Sequence, residues 1–169
     1  MAKPPRPRRD PLLESQIDSV LTASRVLVGI AAQSMADVED TVTVTQFRAL
    51  VVVAAHEPIH LAALAQAMGI HPSNATRTCD RLVAQGLLDR KDNPADRRHL
   101  ALTLTEDGRR LVESVLTRRR AAIADVLNKM SAGGRARLAV VLTEFAQAGG
   151  EPPMDQLWAT GWDVATRPS

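Results

Sequence analysis

The chain has no tyrosine, two phenylalanines and two tryptophans, so aromatic residues make up 2% of its 169 positions. A core this poor in rings must be filled by Leu, Val, Ile, Ala and Met. A single cysteine, Cys79, excludes an internal disulfide and a cysteine-rich zinc site. Four histidines, His56, His60, His71 and His99, are too scattered for a zinc spacing, so no metal or other cofactor is expected. Long apolar runs are missing too: "ALVVVAA", Ala49 to Ala55, is far shorter than the roughly 20 residues that span a bilayer. No apolar signal core follows the basic, Pro-rich start, and the plain expectation is a cytoplasmic protein with no membrane partner. Nucleophile–base pairs, phosphate-binding glycine loops and paired carboxylates are also lacking, which argues against an enzyme.

What charge there is lies unevenly. Residues 1–10 hold Lys3, Arg6, Arg8 and Arg9 against Asp10, a local +3, so the rest of the chain sums to −1 of the total +2. Residues 1–10 are expected to be a disordered basic tail, a weak electrostatic arm at most.

Most of the remainder has helical periodicity. Leu13, Ile17, Val20, Leu21, Leu27 and Ile30 predict a long helix over about 11–37. Thr43 and Gln46 form a capping box for a second helix that buries Phe47, Leu50, Val51 and Ala54 and stops at Pro58. Leu61, Leu64, Ala65 and Met68 give a short third helix, with Gly69 as its left-handed stop. Pro72 suits the first turn of the next one, which turns Ala75, Cys79, Leu82 and Val83 inward and is closed by Gly86. Two short helices around a Gly-containing turn make a helix-turn-helix. Thr105, followed by Glu106 and Asp107, caps a long helix to about Met130, and Ser131 can cap a last one carrying Leu138, Val141, Leu142 and Phe145.

One stretch breaks the helical pattern. In "LLDRKDNPADRRHLALTLT", Leu87 to Thr105, residues alternate as strands do and break at Asn93-Pro94-Ala95-Asp96. Leu100, Leu102 and Leu104 share one face, so that face packs on the domain. Arg90, Lys91, Arg97 and Arg98 fall on the exposed edge and turn. A helix-turn-helix followed by such a hairpin is a winged helix, and an arginine on a thin hairpin can enter a narrow, negative minor groove. The fold class is therefore mainly α with a small β-hairpin wing, a winged helix-turn-helix core flanked by long terminal dimerisation helices.

The segment "GLLDRKDNPADRRHLALTLTEDG" resembles the wing signature of the multiple-antibiotic-resistance-regulator (MarR) family of bacterial transcription factors. That signature, D-x-R, alternating apolar residues, then L-T and a Gly, falls here on Asp96, Arg98, Leu104, Thr105 and Gly108. The resemblance covers roughly 12–147. It implies one MarR-type domain over 11–147, with the winged helix-turn-helix at about 43–105, dimerisation helices at about 11–37 and 105–147, and a C-terminal extension at 148–169. It also implies that Arg98 is the wing arginine, oriented by Asp96, with Arg97 on the same backbone and Lys91 beside them. Bases would be read by Ser73, Asn74, Thr76 and Arg77, a face that helical spacing also sets opposite Ala75, Cys79 and Leu82. Arg77 suits the O6 and N7 of guanine, Asn74 suits adenine, and Arg81, one turn on, suits a phosphate.

Two positions depart from the family pattern. His71 stands where Asp or Ser more often caps the recognition helix, and Gly133-Gly134 replace acidic residues early in the last helix, which is expected to start late or fray. Cys79 falls on an apolar helix face, as a small core residue rather than a peroxide sensor. Arg118-Arg119-Arg120 reads as a solvated face, with cross-subunit ion pairs as the alternative. Beyond the resemblance, Met154, Leu157 and Trp158 share one helical face near Trp162, and 154–162 is expected to dock on the dimerisation helices. The expected function is a homodimeric, sequence-specific repressor on a pseudo-palindromic operator in double-stranded DNA, released by a small, aromatic or phenolic effector. In the resembled family that effector lies between the dimerisation region and each winged helix. The alternatives are a DNA-architectural dimer with weak sequence preference and a redox switch through Cys79.

Overall fold

Asp10 opens the first helix, its carboxylate accepting the Leu12 N–H at 3.0 Å, with Pro11 in the first turn, where a missing N–H costs nothing. The computed structural model describes residues 10–92 and 100–150, with backbone alone at 91, 92 and 100. Asp96, Arg97 and Arg98, the basic tail over 1–9 and the tryptophan-bearing segment 154–162 therefore lie outside the described residues.

In order, the elements are α1 (Pro11–Met35) with a 3-10 turn (Ala36–Val38), α2 (Val44–His56), β1 (Ile59–His60), α3 (Leu61–Met68), α4 (Pro72–Ala84), β2 (Leu88–Asp92), β3 (Leu100–Leu104), α5 (Glu106–Asn128) and α6 (Ala132–Ala148). The expected punctuation is present. Thr43 and Gln46 cap each other reciprocally, Gly69 takes φ +65° after α3, and Gly86 takes φ +71° after α4. The Thr105 hydroxyl accepts the Gly108 N–H at 3.0 Å.

Three details differ from expectation. The hairpin is two-thirds of a three-stranded antiparallel sheet, in the order β1-β3-β2, with Ile59 opposite Leu102 and Leu88 opposite Leu104. His71 does cap α4: its Nδ1 accepts the Ser73 N–H at 3.3 Å. The last helix neither starts late nor frays at its two glycines, because Ser131 Oγ accepts the Gly134 N–H at 3.1 Å and the helix begins at Ala132.

The core gathers Leu50 and Val53 of α2, Leu64 of α3, Cys79 and Leu82 of α4, Leu88 and Leu102 of the sheet, and Val112 and Val115 of α5. Between the sheet and α5 the packing is very close, since a Cβ on Gly108 would meet the Leu87 carbonyl carbon at 3.0 Å and its oxygen closer still. Glu57 fastens the same corner. Its carboxylate accepts the Leu104 N–H at 2.8 Å and the Arg109 guanidinium at 2.5 Å.

The long helices are dressed differently. Of α1 only Ile30, Ser34 and Met35 are buried, and α6 buries no residue. Leu13, Ile17, Val20, Leu21 and Leu27 of α1 are exposed, as are Val140, Val141, Leu142 and Phe145 of α6. By length and composition Pro11–Val38 could even cross a membrane, which counting uninterrupted apolar runs had missed. Glu14, Asp18 and Arg25 interrupt it, however, gathered to one side of the apolar row.

The arginine run on α5 is not simply solvated. Arg118 donates from Nε to the Ser34 carbonyl at 3.0 Å and pairs with Asp37 at 2.9 Å. Arg119 donates to Ser34 Oγ at 3.2 Å and stacks over the Phe47 ring at 5.5 Å, and burial lowers its pKa. These two side chains thus tie α5 to the C-terminal end of α1, where carbonyls lack helical partners.

Candidate nucleic-acid interface

Helix α4 sorts its side chains by period. Ala75, Cys79 and Leu82 are buried, which turns Ser73, Asn74, Arg77 and Arg81 to solvent. Asn74, Arg77, Thr78 and Arg81 line an open cleft of about 320 Å³, closed on its far side by Thr45 of α2 and Ile70 of the turn. Among the described residues no carboxylate lines this cleft. Two guanidinium groups and three small polar side chains suit a polyanion with hydrogen-bonding edges.

Within the face the polar atoms are already engaged. Arg77 Nη2 donates to Asn74 Oδ1 at 2.8 Å. The Thr78 hydroxyl donates to the Asn74 carbonyl at 2.9 Å, and the Thr76 hydroxyl to the Pro72 carbonyl at 3.0 Å. Ser73 Oγ lies 2.8 Å from His71 Nδ1. The expected residues are thus not all placed alike: Thr76 is half-buried, one turn before Asp80, on a flank turned away from the cleft. Thr45, Ile70 and Thr78 were not anticipated. Thr78 was legible, one turn beyond Asn74, whereas Thr45 arrives from another helix.

On that same flank, Asp80 pairs with Arg90 of β2, which joins recognition helix to wing. Arg90 is thereby committed within the domain. Beneath it Cys79 is fully buried, and that burial pushes its thiol up to about 11; Arg90 opposes the rise and Asp80 adds to it. A thiol so buried is neither ionised nor reachable at neutral pH, so the redox-switch reading gains nothing. Among the described residues no cluster of His, Cys, Asp or Glu could hold a metal ion.

The comparisons with known proteins agree with this geometry. The MarR family model matches residues 40–99. The HTH-type transcriptional repressor MdtR of Bacillus subtilis is 32% identical over 107 residues, covering 63% of this chain and 69% of that protein. The chain belongs to the MarR family. It is accordingly a DNA-binding transcription regulator of the winged-helix class, not an enzyme. Among solved structures, the MarR-family chain resembles RV1404 from Mycobacterium tuberculosis at 43% identity and a TM-score of 0.76, over 86% of this chain and 99% of that one. The Bordetella bronchiseptica protein BpsR, solved in a study of how 6-hydroxynicotinic acid regulates its DNA binding, shares the fold at 24% identity and a TM-score of 0.59, over 85% of this chain and 98% of that one.

Proposed function

We propose that this MarR-family chain is a homodimeric repressor that reads a pseudo-palindromic operator with α4 and the wing and leaves it when a small molecule binds. The observation that carries the dimer is the apolar surface left open at both ends of the fold. Leu21 and Leu27 of α1 and Val140 and Phe145 of α6 are each at least half exposed. A groove of about 490 Å³ along Ala139, Val140, Thr143, Glu144 and Gln147 adds to it. Apolar area of this extent is covered in a working protein, and a second copy carries the complementary faces. On this reading the winged helix-turn-helix spans about 43–105, framed by dimerisation segments at about 11–37 and 105–147.

In the dimer, the face that carries Asn74 and Arg77 is turned to the base edges, Ser73 and Arg81 meet the sugar-phosphate backbone, and Thr76 supports α4 from its flank. Lys91, Asp96, Arg97 and Arg98 serve the wing's minor-groove contact. Repression is favoured by the resemblance to MdtR, and a small aromatic effector by BpsR, whose DNA binding 6-hydroxynicotinic acid regulates. A cytoplasmic site of action follows from binding the chromosome. The test is selection of bound duplexes from fragmented genomic DNA by the purified protein, with its mass in solution measured alongside. Sites of inverted symmetry with centres about 10 base pairs, or about 34–36 Å, apart support the reading. A monomer that binds single, unpaired half-sites overturns it.

A further inference from the structure

We propose that Asn74 does not read a base of its own but holds the Arg77 guanidinium, so that the pair reads one guanine per half-site. This rests on the reading of α4 as the recognition helix. The two residues stand one turn apart on the exposed face of α4, and Arg77 Nη2 donates to Asn74 Oδ1 at 2.8 Å. An asparagine that recognises adenine presents its Oδ1 and Nδ2 together to that base. Here Oδ1 is turned to the arginine instead. A guanidinium carries several N–H donors along a planar fork, so giving one to Asn74 leaves an edge free for O6 and N7 of guanine.

The surroundings favour the pair over four independent readers. Ser73 is turned toward His71, and the hydroxyl protons of Thr76 and Thr78 go to backbone carbonyls one turn earlier. Arg77 keeps spare donors, and it faces the open cleft together with Asn74. Fixing its side chain before DNA arrives removes rotamer freedom that would otherwise be lost on binding. Asn74 is then a positioning residue, and specificity resides in the orientation it imposes.

The experiment compares base preferences of the full-length protein and its Arg77→Ala, Asn74→Ala and Asn74→Asp variants, each selected against a randomised duplex library. Thermal unfolding of each variant checks that the exposed substitutions leave the fold intact. Arg77→Ala should lose about tenfold or more in preference at one guanine per half-site. Asn74→Ala should flatten that same position. Asn74→Asp keeps the Oδ1 acceptor and removes the Nδ2 donor, so it should keep the guanine preference while binding all sequences more weakly. Altered preference at a different base pair in Asn74→Ala, with the guanine untouched, overturns the pairing alone. An Arg77→Ala profile unchanged from that of the unsubstituted protein overturns the base-reading role of this face and the pairing with it.

Discussion

The carbonyl oxygen of Leu87 sits so close to Gly108 that a β-carbon there would collide with it. The same oxygen accepts the Thr105 N–H at 3.2 Å, so neither partner can retreat cheaply. Gly108→Ala should therefore force α5 away from the sheet and cost about 1–3 kcal/mol, as overpacking does elsewhere. Urea unfolding of the variant measures this. An unchanged midpoint would mean that the corner yields more readily than its geometry implies.

Glu57 should be nearly as sensitive. Glu57→Ala abandons the Leu104 N–H and the Arg109 guanidinium together, whereas Glu57→Gln keeps an acceptor for one of them. The expected loss is about 1–3 kcal/mol for Ala and clearly less for Gln. Equal losses in the two variants would show that the carboxylate's charge, not its oxygen atoms, carries the contact.

Cys79 sets an alkaline limit. Burial in the fold pushes its thiol from the ordinary value of 9.0 up to about 11. Between those values the unfolded chain binds fewer protons, so stability falls as pH rises, by roughly 1 kcal/mol at pH 10. The chain has no tyrosine to mask the effect. Unfolding curves at pH 8 and pH 10 should differ accordingly, and Cys79→Ala should remove most of the difference. Thiol reagents should label the folded protein slowly and the unfolded chain at once.

Val141 and Phe145 are exposed on α6, so charges placed there do not enter the core. Val141→Asp combined with Phe145→Asp should shift the mass in solution from twice 18.3 kDa toward 18.3 kDa, with little change in helix content. Persistent dimers in this variant would place the interface elsewhere.

Arginines outside the reading pair should behave differently from it. Arg81→Ala should weaken binding evenly across sequences and lower the salt slope by about one. Arg98→Ala should flatten preference for A·T-rich flanks, because a minor-groove arginine senses groove width. Identical profiles for the two would show that both meet only phosphate.

Helix ends were the most legible part of the chain, because capping is local. Thr43 with Gln46, Gly69, Pro72, Thr105 and Ser131 all act within four residues of themselves, and each stands where its chemistry predicts. Ile59–His60 was not legible. Two residues have no period, and their pairing partner, Leu102, is remote in sequence. The arginine run failed for a related reason: that Arg118 would meet Ser34 depends on how α5 lies along α1, which no short window contains. At the reading face, periodicity found Asn74, Arg77 and Arg81 but could not see that Asn74 and Arg77 would hold each other, because spacing gives proximity and not rotamer.

The central place of β3 has a mechanical consequence. It is paired along both edges, by β1 and by β2, and Glu57 grips its last amide together with the first turn of α5. Asp80 and Arg90 bolt β2 to α4 in turn. The root of the wing thus has no pivot of its own. A tilt of α5 is therefore expected to pass through Glu57 to β3, and from there toward β2 and α4. On the proposed function, the two would reach the duplex, or miss it, as one tool head.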